Sequence, residues 1–271
     1  MAASINPLTA VWSGGRTALC GWIAAPSVIT AEALVSAGWD AIVFDLQHGT
    51  ADYASLLAML PVVQRSGAAP IVRVPWLDEG DIMRALDAGA LGVIAPMIES
   101  PEDVARLVRS CRYPPDGGRS FGPVRAGYAW GPSYFERANA DILSLAMIET
   151  RRAVEALDEI LSVDGLGGVY LGPADLALSH GYPPGFDRRE PEMTALILSI
   201  LERCKGAGVR CCLHCGSPDY AAEMACEGFD LVTVGSDVRF LEAGARAAVR
   251  RFRQSVARNA GRSRKNGRSK A

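Results

Sequence analysis

Ala88-Gly89-Ala90-Leu91-Gly92-Val93-Ile94-Ala95 reads as a helix end followed at once by a buried strand. A glycine just past a helix supplies the left-handed residue of a C-cap, and an apolar run with helices on both sides is a parallel strand covered on both faces. The same phrase returns as Ser36-Ala37-Gly38 before Ala41-Ile42-Val43-Phe44 and as Ser66-Gly67 before Ile71-Val72-Arg73-Val74. It appears again as Ala207-Gly208 before Val209-Arg210-Cys211-Cys212 and as Glu227-Gly228 before Leu231-Val232-Thr233-Val234. The runs Leu19 to Ala25, Ile142 to Ile148 and Gly168 to Gly172 complete a set of eight strands. Amphipathic segments lie between them: Tyr53 to Arg65, Gly80 to Ala88, Pro101 to Cys111, Arg151 to Leu161, Glu190 to Lys205 and Pro218 to Glu227. Strict alternation predicts an α/β fold, a single-domain (β/α)8 TIM barrel over residues 19–252. Residues 1–18 read as an N-terminal extension and 253–271 as a basic tail. A doubly wound open sheet is the alternative, but no Gly-x-Gly-x-x-Gly turn follows an early strand.

The chain's 271 residues, 49% of them apolar, suffice for one large core, and a formal charge of −2 argues against a nucleic-acid surface across the body. Eight basic residues and no acid fall between Arg251 and Ala271, which we read as a frayed, solvated end rather than a tether to nucleic acid or membrane. No apolar run reaches the roughly 18 residues that cross a bilayer, and Met1 to Thr9 lacks a basic segment followed by an apolar one, so a soluble, cytoplasmic protein is expected. Seven cysteines, an odd number, fit a reducing compartment. Cys20, Cys204, Cys211, Cys212 and Cys226 lie in apolar or helical stretches where a thiol behaves as a small hydrophobe. Cys211-Cys212-Leu213-His214-Cys215 resembles a zinc cluster, yet strand alternation sends Cys211 and Cys215 to one face and Cys212 and His214 to the other.

In a barrel the reacting groups come from the C-terminal ends of the strands. Those ends carry Asp45, Gln47 and His48, then Arg73, Met97 to Glu99, Glu149, Asp175, His214 and Ser236-Asp237. Glu149 and Asp175 are hard oxygen donors that suit Mg²⁺ or Mn²⁺, although both also precede helix-like segments that they could simply cap. His48 lies three residues after Asp45; a carboxylate beside an imidazole fixes its tautomer and favours its protonated form, which suits a general base. Arg73 is either a structural ion-pair partner or a cation aimed at a carboxylate or oxyanion. The only lysines are Lys205, Lys265 and Lys270, none at a strand's C-terminal end, so Schiff-base chemistry is excluded and carbon–carbon chemistry would need a metal. Tyr113 to Asn139, rich in Pro, Gly and aromatics, is too long for an ordinary connection and is expected to cover a site or meet another subunit.

Phe44-Asp45-Leu46-Gln47-His48-Gly49, Val72-Arg73-Val74-Pro75, Ala85-Leu86-Asp87-Ala88-Gly89-Ala90, Pro96-Met97-Ile98-Glu99, Arg112-Tyr113-Pro114-Pro115, Ile148-Glu149-Thr150 and Leu171-Gly172-Pro173-Ala174-Asp175-Leu176 stand in this order along the chain. With them the sequence, from about Leu19 to Phe252, resembles the class II pyruvate aldolases of the 4-hydroxy-2-oxoheptanedioate and 2-dehydro-3-deoxyglucarate aldolase family. That family lies within the phosphoenolpyruvate/pyruvate barrel superfamily. The resemblance implies reversible cleavage of a 4-hydroxy-2-oxo acid to pyruvate, or a close analogue, and an aldehyde through a metal-stabilised enolate. It implies that Glu149 and Asp175 hold Mg²⁺ or Mn²⁺, with Co²⁺ a further option, that His48 is the base and that Arg73 steadies the enolate and aldehyde oxygens. The backbone of Gly172, Ala174 and Asp175 would receive the pyruvate carboxylate. Asp87 would reach in from a neighbouring subunit to make His48 more basic, in an oligomer that is typically a hexamer. Two positions depart from the family pattern: Met147 replaces a glutamine that touches substrate, and Gln47 precedes the histidine where glutamate is common. Trp76, Tyr128 and Trp130 hint at an apolar or aromatic aldehyde. Oxaloacetate-type decarboxylation, CoA-ester cleavage and a non-catalytic role in binding metal and 2-oxo acid are the competing readings; CoA is disfavoured because no basic cluster at the mouth suits its phosphate.

Overall fold

The computed structural model describes the backbone of residues 4–268 and the side chains of residues 4–258. Eight parallel strands pair in sequence order and close into a barrel: β1 (Ala18–Ile23), β2 (Ala41–Asp45), β3 (Ala69–Arg73), β4 (Gly92–Ala95), β5 (Leu143–Ile148), β6 (Gly168–Leu171), β7 (Cys211–Cys215) and β8 (Leu231–Ser236). The helices are α1 (Leu8–Ser13), α2 (Val28–Val35), α3 (Tyr53–Ser66), α4 (Glu79–Asp87), α5 (Pro101–Cys111), α6 (Val124–Trp130), α7 (Tyr134–Asp141), α8 (Arg151–Glu155), α9 (Leu157–Leu161), α10 (Pro173–Ser179), α11 (Pro191–Gly206), α12 (Pro218–Glu227) and α13 (Asp237–Arg268). The glycines that end the repeated phrase, Gly38, Gly67, Gly89, Gly208 and Gly228, all have positive φ between 70° and 103°. They turn the chain from helix to strand as the sequence pattern required.

Alternation along each strand decides what reaches the mouth. Val43, Ile71, Leu145, Tyr170 and Cys212 face the barrel interior, while Ile42, Phe44, Val72 and Val93 face the surrounding helices. Extending the interior parity to the C-terminal ends brings Asp45, Arg73, Met147, Glu149, Gly172 and His214 inward. The same alternation separates Cys211 and Cys215, in the outer core, from Cys212 in the inner one, which removes the zinc reading. All seven cysteines are free.

Four expectations change. The N-terminal extension is part of the barrel: α1 plugs its lower end, with Leu8 and Val11 in the inner core and Trp12 Nε1 donating to the Asp230 carbonyl at 2.8 Å. The segment expected to be a frayed tail from residue 253 continues α13 as helix to Arg268; residues 269–271 lie outside the described residues. Arg151 to Leu161 is two short helices that meet at Ala156. The segment Tyr113 to Asn139 forms α6 and most of α7 and packs beside α4. It holds Arg119 buried, with its guanidinium over the Tyr113 ring at 4.4 Å and paired with Asp87 at 2.6 Å. It therefore does not cover the mouth of its own barrel.

Candidate active site

A cavity of about 380 Å³ opens at the C-terminal end of the barrel, lined by His48, Arg73, Met147, Asp175, His214 and Arg239 among others. The lining comes from the C-terminal ends of β1, β2, β3, β5, β6, β7 and β8 or the turns beyond them, with Asp45 and the Gly172 to Asp175 turn among it; Met97 to Glu99 and Glu149, also expected at the mouth, do not line it, and Glu149 lies behind Gly172.

Asp45 and Arg73 form the most firmly held pair. The parallel register puts them side by side on β2 and β3. Arg73 Nε donates to Asp45 Oδ1 at 3.0 Å and Nη2 to Oδ2 at 2.6 Å. Trp22 Nε1 donates to Oδ2 at 3.2 Å, and the Arg73 guanidinium lies 4.9 Å from the centre of the Trp22 ring. Burial works to raise the Asp45 carboxyl, but the hydrogen bonds and charge of Arg73 outweigh it and hold the group below the usual carboxylate range. Asp45 Oδ1 also accepts the backbone N–H groups of Gln47 and His48. This corrects the expected Asp45–His48 pairing: the carboxylate shapes the His48 loop through its backbone and engages Arg73 instead of the imidazole. His48 itself is exposed at the rim, and its ring makes no hydrogen bond among the described residues. Gln47 is half-buried with Oε1 unpartnered, and nothing in the structure explains the choice of glutamine there.

Glu149 extends β5 by one residue and is only 2% exposed. Its Oε1 accepts the Met97 N–H at 2.8 Å, a donor presented by the one non-glycine residue with positive φ among the described residues, Met97 at 54°. Its Oε2 lies against Gly172, so close that a Cβ on that residue would stand 2.5 Å from it and 2.7 Å from the Met147 methyl. Burial pushes Glu149 up to about 7; the Met97 N–H opposes this, and the neighbouring Asp175 carboxylate adds to it. Asp175 sits exposed in the first turn of α10, whose N-cap is Gly172 with no side-chain cap. Two mutually repelling carboxylates, one buried with a single hydrogen bond, fit a divalent cation that completes its shell with water or substrate oxygens. No group of three or more His, Cys, Asp and Glu suited to a metal occurs among the described residues.

Several residues escaped the sequence reading. Trp22 is one of them. Phe186, Tyr170 and Arg239 are others: Tyr170 Oη lies 2.5 Å from Thr233 Oγ1 and 3.3 Å from His214 Nδ1, and His214 packs edge-on against Trp22 at 4.7 Å. Burial, with the Arg73 and Arg239 charges adding to it, pushes His214 down to about 3, so its imidazole is neutral near pH 7. Trp76 and Tyr128 are exposed and Trp130 donates to the Gly89 carbonyl; none of the three lines the cavity. Asp87 sits at the end of α4, away from the mouth of its own chain. Asp237 ties α13 to the loop after β1 by accepting the Ala24 and Ala25 N–H groups at 3.0 and 3.1 Å. Lys205 donates to the Glu227 carbonyl, far from the mouth.

Residues 19–243 match the HpcH/HpaI aldolase/citrate lyase family. The chain belongs to this family. It is 42% identical over 245 residues to the hydroxypyruvate/pyruvate aldolase of Rhizorhabdus wittichii, covering 90% of this chain and 98% of that one. It is 35% identical to the 4-hydroxy-2-oxovalerate aldolase of Rhodococcus jostii, over 94% of this chain and 98% of the relative. A crystal structure of an HpcH/HpaI aldolase/citrate lyase family protein from Burkholderia cenocepacia superposes with a TM-score of 0.84 at 30% identity, covering 91% of this chain and 98% of that one. The protein is a divalent-metal-dependent aldolase, an aldehyde-lyase. Decarboxylation, CoA-ester cleavage and a purely binding role are not favoured by these relatives. No helix of the described residues is long and apolar enough to cross a membrane.

Proposed function

We propose that this aldolase cleaves, and in reverse forms, a 4-hydroxy-2-oxo acid, with pyruvate or a near analogue such as hydroxypyruvate as one product and an aldehyde as the other. The observation that carries the reading is that Asp175, the Asp45–Arg73 pair and the exposed His48 line one cavity, with Glu149 buried directly behind Gly172 in its wall. Glu149 and Asp175 would hold Mg²⁺ or Mn²⁺, which withdraws electrons from the 2-oxo group and makes the neighbouring carbon acidic. The backbone of Gly172, Ala174 and Asp175, at the uncapped start of α10, receives the carboxylate. Asp45 occupies Nε and Nη2 of Arg73, leaving Nη1 to steady the enolate and aldehyde oxygens. Met147 borders the same region as an apolar contact.

In cleavage His48, directly or through a water, takes the proton of the 4-hydroxyl; the C3–C4 bond breaks, its electron pair stays with C3 as an enolate, and the C4 fragment leaves as the aldehyde. Protonation at C3 then gives the 2-oxo acid. Asp87 of a second copy would act beside His48 and raise its basicity. A homo-oligomer, in line with the family hexamer, accords with the exposed apolar side chains Ile29, Phe121, Leu241 and Phe252, each at least 67% exposed. We place the enzyme in the cytoplasm, with small molecules as its partners. The test is pyruvate release from a 4-hydroxy-2-oxo acid by protein stripped with EDTA and resupplied with Mg²⁺ or Mn²⁺. Release that returns with the metal and exceeds that from oxaloacetate supports the reading; release from oxaloacetate alone overturns it.

A further inference from the structure

The bond that breaks lies between the 2-oxo acid end and the carbons of the aldehyde, so the aldehyde must point at whatever part of the cavity the Glu149, Asp175 and Arg73 side does not use. Around the closed barrel that part comes from β7, β8 and the loop before α11. Its side chains are Phe186, His214, Cys215, Ser236 and Arg239. His214 is neutral, and Arg239 is the one ionised group among them.

The wall is built, not loose. Asp187 Oδ1 accepts the Gly216 N–H at 2.6 Å and fixes the Phe186 loop to the end of β7. The next residue, buried Arg188, donates to the Pro183 carbonyl at 2.8 Å and pairs with Glu190 at 2.6 Å, closing the loop on itself. The Arg239 guanidinium rests 4.5 Å from the centre of the Phe186 ring, on a helix start that Asp237 anchors to the loop after β1. Unlike Arg73, Arg119 and Arg188, each with a carboxylate at 2.6 Å, Arg239 makes no side-chain ion pair or hydrogen bond among the described residues. A cation over an aromatic face, at a cavity edge, with its donors unengaged, is arranged to receive an anion.

We infer that Arg239 binds a distal anionic group, carboxylate or phosphate, on the aldehyde partner, and so sets this enzyme's preference among aldehydes. The inference rests on the aldolase reading above. It replaces the expectation of an apolar or aromatic aldehyde, because the aromatic residues that suggested it are not at the cavity.

The test compares matched aldehydes as acceptors for pyruvate with metal-loaded protein: 4-oxobutanoate against butanal, and glyceraldehyde 3-phosphate against glyceraldehyde. Wild type, R239Q and R239K are assayed for kcat/KM on each. For at least one pair, the ratio of anionic to neutral acceptor falls about tenfold or more in R239Q, chiefly through KM, and R239K retains most of it. The pair with the larger ratio tells which anion the site takes. Ratios unchanged for both pairs in R239Q, with wild type active, overturn the assignment of Arg239 alone. Wild-type protein that adds pyruvate to none of the four aldehydes and exchanges none of its methyl protons overturns the aldolase reading, and this inference with it.

Discussion

The β5–β6 and β7–β8 sides of the mouth are made from the same unit, strand then turn then helix, but they carry opposite character. On the first, Glu149 is buried beneath Gly172, which raises its pKa, and the Asp175 carboxylate beside it adds to the rise. On the second, a neutral imidazole, a phenyl ring and an unpaired guanidinium face the same space. Fold alone does not dictate this division, since each βα turn is free to carry any residue. The difference assigns the bond-breaking end of the substrate to one side and its variable end to the other.

Removing the charge on the first side should have the largest effect. Glu149→Gln keeps the shape but discards a metal ligand, and loss of several kcal/mol of charge stabilisation lowers metal-dependent cleavage by about 10³-fold or more, while circular dichroism stays that of the folded barrel. His48→Ala, at the rim between the two sides, lowers cleavage by about 10²-fold or more, with metal affinity by calorimetry unchanged. Gly172→Ala is the finer probe. Its backbone conformation suits alanine, but the added methyl meets Glu149 Oε2 and the Met147 methyl, and we expect metal affinity to weaken by about 10-fold to 100-fold, as when a ligand loses its positioning.

The smallest effect is on stability against pH. Glu149 titrates at about 7 in the fold and near 4.5 ordinarily. Between those values the unfolded chain has released the proton that the folded chain still holds, so metal-free stability falls as pH rises from about 4.5 through about 7. Thermal midpoints of stripped protein across that window should show the fall in wild type and not in Glu149→Gln. Added Mg²⁺ should remove it from wild type, and metal affinity should rise over the same range because the cation displaces that proton.

What the sequence disclosed follows the same division. Glycine punctuation and apolar runs specify the barrel because capping and burial are local, and a carboxylate ending a strand keeps the parity of the residues behind it, so Glu149 was legible. Asp45 misled: its nearness to His48 along the chain suggested one partner, whereas the register of β2 and β3 supplied another, Arg73. Trp22 has interior parity on β1, but a tryptophan in an apolar strand looks like core. Phe186 comes from a loop and Arg239 from the first turn of α13, where no strand alternation marks an inward side chain. The helical course of residues 253–268 was not legible, because two glycines and two asparagines fall in that run and its positive charge drew the reading toward a frayed end.

The central claim is that Glu149, Asp175 and His48 act together to make and protonate an enolate. It is tested most directly by following the methyl protons of pyruvate by NMR in deuterium oxide, with wild type, metal-stripped wild type, His48→Ala and Glu149→Gln side by side. The account predicts exchange in wild type with Mg²⁺ or Mn²⁺, none after stripping, and rates reduced by about 10²-fold or more in both variants. Exchange that persists without metal, or that survives in both variants at the wild-type rate, would contradict it.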